Sequence, residues 1–161
     1  FGFVRNPWSR AVSFYKFHGH HYLMSFEEFV HFKLPQLIEE ERWFYGPQRE
    51  FFFVDGENKA DFIGKFEHLQ DDFAKVCTAL SLPVKSLPHK NKSAAKGGVR
   101  SLKKFGNRFI KRPETWPALV FKAGDKIKAK NYRAYYTPEL IAAVEKLYEE
   151  DVAAFEYSFE D

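Results

Sequence analysis

Cysteine is nearly absent: Cys77 is the single one in 161 residues, so no internal disulfide can form. It follows Phe73, Ala74 and Val76 in an apolar helical pattern, which reads as a buried, inert thiol and not a reactive one. A lone cysteine suits a reducing compartment without requiring one. Missing too is any apolar run approaching the roughly 18–20 residues that cross a bilayer, and no signal peptide is visible. The chain opens on Phe1, and Phe1-Gly2-Phe3-Val4 reads as a strand already under way. A segment upstream of Phe1 is therefore expected, and an anchor or signal could belong to it. No Gly-x-x-x-x-Gly-Lys-Ser/Thr run occurs, so a phosphate loop of that kind is not among these residues. There is no internal repeat and no low-complexity tract.

Aromatic residues, by contrast, are plentiful. They make up 19% of the chain, 19 of them Phe, within an apolar fraction of 45%, which argues for a folded globule over a disordered chain. The length is enough for one domain with its own core, taken as residues 1–161. The net charge of +3 hides a strong asymmetry. Residues 1–84 carry 9 basic and 12 acidic side chains, residues 85–133 carry 15 and 2, and residues 134–161 carry 1 and 8. A middle segment with a surplus of +13 wants anionic company.

Phe1–Val4 reads as a short strand buried in a parallel sheet. Asn6 can cap a helix and Pro7 suits the first helical position, which predicts a helix over residues 8–17. Residues 18–23 read as a polar loop. Ser25 and Glu28 form a capping-box pattern opening a helix with Phe29, Val30 and Phe32, and residues 37–43 extend the helical pattern until Gly46-Pro47 breaks it. Phe51-Phe52-Phe53-Val54 reads as a strand ended by the turn Asp55-Gly56, and residues 61–67 as another. Asp71-Asp72 opens a helix with Phe73, Val76, Cys77 and Leu80 at helical spacing, closed by Ser81-Leu82-Pro83. The order strand, helix, strand, strand, helix predicts an α/β fold with a parallel sheet and covering helices. Residues 85–133 read as long loops with one or two short helices. Thr137 and Pro138 then open a helix whose stripe is Leu140, Ile141, Val144, Leu147, Tyr148, Val152 and Phe155.

The chemistry concentrates at Phe3-Val4-Arg5-Asn6-Pro7-Trp8-Ser9-Arg10-Ala11-Val12-Ser13-Phe14-Tyr15. A buried strand delivers Arg5 to its carboxyl end, where open α/β sheets bind ligands. The following helix aims its positive N-terminal dipole at the same place. Arg5 can fork onto a phosphate, Arg10 adds charge, and Ser13 offers a hydroxyl. Local physics leaves a second reading open, in which Arg5 pairs with a carboxylate and Ser13 fills a helix face.

The whole string resembles the 3′-phosphate-binding segment of the sulfotransferase superfamily, in the form found in its carbohydrate and bacterial branch. There a strand ends in Arg-Asn-Pro, and the Arg and a Ser eight residues later hold the 3′-phosphate of PAPS (3′-phosphoadenosine 5′-phosphosulfate). Arg5 and Ser13 have that spacing. Residues 61–69 followed by Asp72-Phe73 are similar to the family's second characteristic strand and helix, and residues 87–93 to the phrase after it. Tyr136-Thr137-Pro138-Glu139-Leu140, with Tyr148, Asp151, Phe155 and Tyr157, is similar to its terminal helix. The resemblance implies a P-loop-NTPase-like three-layer sandwich, partial here because the first strand, the loop for the 5′-phosphosulfate and the catalytic base are expected upstream of Phe1. It implies PAPS as co-substrate, no metal, and an acceptor hydroxyl or amine, with carbohydrate favoured by the branch resembled. Residues 94–131 look longer than the family's usual connection and are expected to be a basic, loop-rich insertion. The resemblance leaves cytoplasm open for a bacterial form and the Golgi lumen for an anchored eukaryotic one.

Further donor contacts are expected from Lys92 and Ser93, weighed evenly against a solvated loop, and from the basic glycine loop bearing Lys96 and Arg100. His18, His20 and His21 are too crowded on one loop for a closed metal site and are expected as an exposed polar loop near the acceptor pocket. Basic and aromatic residues interleave over residues 100–133, a composition that also suits single-stranded nucleic acid or an anionic polymer. A non-catalytic binding module built on residues 85–133 is thus the alternative, with nucleic acid the less favoured partner. Glu67 is expected to be structural, as partner to a buried Arg.

Overall fold

The computed structural model describes residues 1–87 and 131–161. Its first strand, β1 (Gly2–Val4), runs parallel to β4 (Ile63–Lys65), with Gly2 opposite Ile63, Phe3 opposite Gly64 and Val4 opposite Lys65. Only glycine serves at position 64, because a Cβ there would lie 2.5 Å from the Phe3 ring and 3.0 Å from the Asp72 Cβ. Between them lie α1 (Pro7–Phe17), α2 (Phe26–Glu28), a π-helical stretch (Phe29–Lys33), α3 (Leu34–Glu40), α4 (Arg42–Tyr45), β2 (Phe53–Val54) and β3 (Glu57–Asn58). After β4 comes α5 (Leu69–Ala79), and the C-terminal part holds a 3-10 turn (Tyr132–Tyr135), α6 (Pro138–Leu147) and α7 (Glu149–Phe155).

The start signals act as their chemistry dictates. Asn6 accepts from the N–H groups of Trp8 and Ser9, and Pro7 occupies the first turn, where it forfeits no hydrogen bond. Ser25 and Glu28 close a reciprocal capping box. The widened π turn immediately precedes Pro35, whose ring would press on the His31 carbonyl in a regular α-helix. Thr137 caps α6 with Pro138 behind it.

Three expectations need correction. The apolar run at residues 51–54 does not enter the parallel sheet: a 3-10 turn covers Gln48–Phe51, and only Phe53–Val54 pairs, antiparallel to Glu57–Asn58. The cause is the two-residue turn, in which Asp55 (φ 51°) and Gly56 (φ 80°) both adopt left-handed backbone and fold the chain straight back. The C-terminal stripe is not one helix, since Tyr148 leaves helical geometry and separates α6 from α7. Residues 18–23 are not a wholly exposed loop. His20 is buried with its ring 5.0 Å from that of Phe29, and His18 packs against Phe44 and Tyr45.

The core gathers Val4, Trp8, Ala11, Val12 and Tyr15 from the first elements, Phe26, Phe29, Val30 and Leu34 from the second helical run, and Leu140, Val144 and Tyr148 from the last. Each such large side chain, taken fully from water, contributes about 1.5–3 kcal/mol. Cys77 is buried, as its helical pattern suggests. α1 packs on α6 and on the Tyr132–Tyr135 turn, while α5 packs on β4. The arrangement is a mixed α/β fold with a small parallel sheet whose carboxyl end carries Arg5.

Candidate functional site: the Arg5 corner

The carboxyl ends of β1 and β4 lie side by side, so Arg5 and Phe66 emerge together. The Arg5 guanidinium sits 5.0 Å from the centre of the Phe66 ring. Its Nε and Nη2 donate to Ser9 Oγ at 3.0 and 2.8 Å. Arg5 forms no ion pair with a described carboxylate. Burial depresses its pKa, and Glu67 and Tyr157 oppose that shift. A guanidinium has five N–H donors in a fixed fork, so donors remain for a ligand after Ser9 is served. The Asn6-capped start of α1, eleven residues long, faces the same corner and favours negative charge there.

Ser9 and Ser13 follow Arg5 at steps of four along α1, which keeps them on one side of the helix. Ser13 is half-buried, and no hydrogen bond engages its hydroxyl among the described residues. Ser9 accepts from Arg5 and keeps its own proton to donate. Arg10, grouped with Arg5 in the sequence reading, is engaged elsewhere. Its Nη1 and Nη2 donate to the carbonyls of Gly46 and Phe44, both at 2.8 Å, and Asp151 lies 3.9 Å away. Arg10 also stacks over Phe14 and Tyr148, at 4.8 and 5.6 Å from their ring centres. It ties α1 to the end of α4. Lys92, Ser93, Lys96 and Arg100 lie outside the described residues.

The corner is held from several directions. Glu67 Oε1 accepts the Asn6 N–H at 3.0 Å, and its Oε2 accepts the Tyr157 hydroxyl at 3.0 Å. Glu67 is therefore structural, but its partners are a backbone amide and a tyrosine where an arginine was expected. Asn6 Nδ2 donates to Ser158 O at 2.8 Å. Gln48 hydrogen-bonds both main-chain groups of Arg5, and the buried Asp151 holds Gln48 in turn. Ser9 and Gln48 escaped the sequence reading. The i, i+4 spacing of Arg5 and Ser9 was a signal that could have found the first. Gln48 carries only the Gly46-Pro47 break as a local hint. Among the described residues no three His, Cys, Asp or Glu side chains converge as metal ligands, and no helix is long and apolar enough to cross a membrane.

A model of the sulfotransferase family, described by that name, matches residues 1–158. The chain belongs to the sulfotransferase family. The match spans the Arg5 corner, α5 and the C-terminal helices. Membership implies a transferase that moves a sulfuryl group from a sulfate donor to an acceptor. This sulfotransferase is also similar to an uncharacterized protein of Archaeoglobus fulgidus, 33% identical over 95 residues, which covers 52% of this chain and 68% of the relative. No solved structure matches the chain.

Proposed function

We propose that this sulfotransferase draws on PAPS, and that Arg5 and Ser13 hold the donor's 3′-phosphate. The observation that carries the reading is the Arg5 guanidinium: half-buried at the carboxyl end of a parallel strand pair, beside a helix N-terminus, and without a described carboxylate partner. A charge so placed is complemented by an anion, and a phosphate presents the geometry a guanidinium fork recognises. Ser13, two turns up the same helix, offers the second contact. Lys92, Ser93, Lys96 and Arg100 are proposed as further donor contacts on family grounds, and carbohydrate as the acceptor. On the same grounds residues 1–161 are taken as one P-loop-like domain with an insertion at residues 94–131.

The chemistry is direct transfer. An acceptor hydroxyl or amine gives its proton to a base and attacks the sulfur. The new bond to sulfur forms as the bond from sulfur to the 5′-phosphate oxygen breaks, and adenosine 3′,5′-bisphosphate leaves with that electron pair. Positioning and neutralisation of charge carry the rate, as in phosphoryl transfer. The contribution of this corner is to hold the donor by the group that does not react.

The test is calorimetric titration with adenosine 3′,5′-bisphosphate and with AMP, on the wild-type chain and on Arg5→Ala. The bisphosphate is expected to bind more tightly than AMP. Loss of a charge-assisted contact worth about 1.5–3 kcal/mol should cut bisphosphate affinity about 10- to 100-fold in Arg5→Ala and leave AMP nearly unchanged. Equal affinities on the folded wild-type chain would remove the donor-site reading and return attention to the basic segment.

A further inference from the structure

Gly2 donates its N–H to the Phe62 carbonyl, on the β4 side of β1. Main-chain groups alternate sides along a strand, so Arg5, three residues on, turns its N–H and carbonyl toward the opposite edge. No strand pairs at that edge among the described residues. The side-chain amide of Gln48 takes the place of one. Its Nε2 donates to the Arg5 carbonyl at 2.8 Å, and its Oε1 accepts the Arg5 N–H at 2.9 Å. One amide thus fixes the peptide planes on both sides of the Arg5 Cα.

Asp151 decides which way round that amide sits. A carboxylate only accepts. Its Oδ2 lies 2.8 Å from the Gln48 N–H and 3.3 Å from Nε2, and its Oδ1 takes the Arg49 N–H at 2.7 Å. Turned over, the amide would set its oxygen against both the Asp151 carboxylate and the Arg5 carbonyl. Asp151 is 0% exposed and Gln48 8%, so neither side chain can swing out to water. The link reaches from α7, near the end of the chain, to the end of the first strand through one side chain.

We propose that Gln48 is a positioning residue for Arg5, kept in the working orientation by Asp151, and that the pair sets the direction in which the guanidinium meets the donor's 3′-phosphate. The proposal rests on the reading of Arg5 as a phosphate ligand given above. The lever is geometric. A rotation of about 10–20° at Cα carries the far end of an extended Arg side chain about 1 Å or more, beyond the roughly 0.5 Å that such sites tolerate. Ser9 steadies the guanidinium at its tip, and Gln48 steadies it at its root.

Gln48→Met keeps the side-chain length and removes both bonds to Arg5. Wild type, Gln48→Met and Arg5→Ala are titrated with adenosine 3′,5′-bisphosphate and AMP. The Arg5 Nε–H resonance, assigned by its loss in Arg5→Ala, is followed by NMR. In Gln48→Met the preference for the bisphosphate should fall about tenfold, the scale of one weakened charge-assisted contact, while AMP affinity changes little and the Arg5 signal shifts and broadens. Asp151→Asn should give a smaller change of the same kind. Should Gln48→Met fail to fold, Gln48→Asn, one methylene too short to reach Arg5, carries the same two readouts. An unchanged preference with an unmoved Arg5 signal overturns the proposal. So does a parallel loss of affinity for both nucleotides in step with Tm, which marks a structural prop only. If the wild-type chain shows no preference, the phosphate reading falls on its own, and the Arg5 resonance in Gln48→Met alone decides the positioning.

Discussion

Glu67 joins three parts of the chain through two oxygen atoms: the β1–α1 turn at Asn6, its own 3-10 turn after β4, and Tyr157 beyond α7. Asn6 and Tyr157 are both buried, at 0% and 5% exposure, and the exposed Glu67 side chain reaches them from the surface. Glu67→Ala removes the partner of the Asn6 N–H and of the Tyr157 hydroxyl, and with water able to enter from the exposed side it should cost about 2 kcal/mol of unfolding free energy. Tyr157→Phe removes only one of those bonds and should cost about 1 kcal/mol. Urea unfolding of the two variants measures both, and equal losses would mean that the Asn6 bond contributes nothing. Such partnerships were legible only in part. Glu67 could be read as structural because it closes an apolar strand. Its partners could not, because they stand 61 and 90 residues away in sequence. Arg5 and Ser13 announce themselves by type and spacing within one short segment. Gln48 is chemically neutral, lacks a motif, and gains its role only when α7 folds over it.

At the scale of elements, local signals carried what was local. The caps at Asn6, Ser25 and Thr137 are satisfied within three residues, so propensity and spacing suffice to place them. The Phe51–Val54 run misled because an apolar stretch reads the same in a parallel strand as in half a hairpin. The turn Asp55-Gly56 was visible, and only the pairing it enforces was not. The junction of β4 and α5 has its own electrostatic lock. Asp72, in the first turn of α5, accepts from Lys75 Nζ at 2.7 Å and from the Lys65 N–H at 2.8 Å. The Lys75 ammonium, aided by the Lys65 amide, holds the Asp72 pKa below the ordinary carboxylate value. A carboxylate depressed in the folded state contributes stability above its unfolded pKa of about 3.9, and that contribution fades as pH falls through the lower folded value. Asp72→Asn should therefore be less stable than wild type at pH 7 and converge with it in acid below about pH 4. Thermal unfolding from pH 7 to pH 3 records the difference, and a gap that stays constant with pH would rule out this linkage.

Across the whole molecule the end of the chain is what holds its beginning. Trp8 Nε1 donates to Ile141 O at 2.9 Å, Tyr136 Oη to Trp8 O at 2.9 Å, and Tyr148 Oη to Tyr45 O at 2.8 Å. Asp151, Tyr157 and Ser158 complete the set by bonding Gln48, Glu67 and Asn6. Each of these bonds spans 90 to 152 residues. They also serve the small parallel sheet, which on two three-residue strands is too short to stand alone. A chain shortened by residues 149–161 keeps β1, β4 and all of α1 but loses the groups that fix Gln48, Glu67 and Asn6. Five hydrogen bonds would then be lost, three of them to the buried Asp151, and a buried group left without its partner costs about 1–3 kcal/mol, against a total stability of about 5–15 kcal/mol for a domain. The shortened chain should show no cooperative urea transition and no near-ultraviolet circular dichroism from its packed aromatics. A sharp transition at the midpoint of the unshortened chain would mean that the Arg5 corner stands on local contacts alone. The link from α7 to Arg5 would then be a bystander to folding, leaving it only the positioning role.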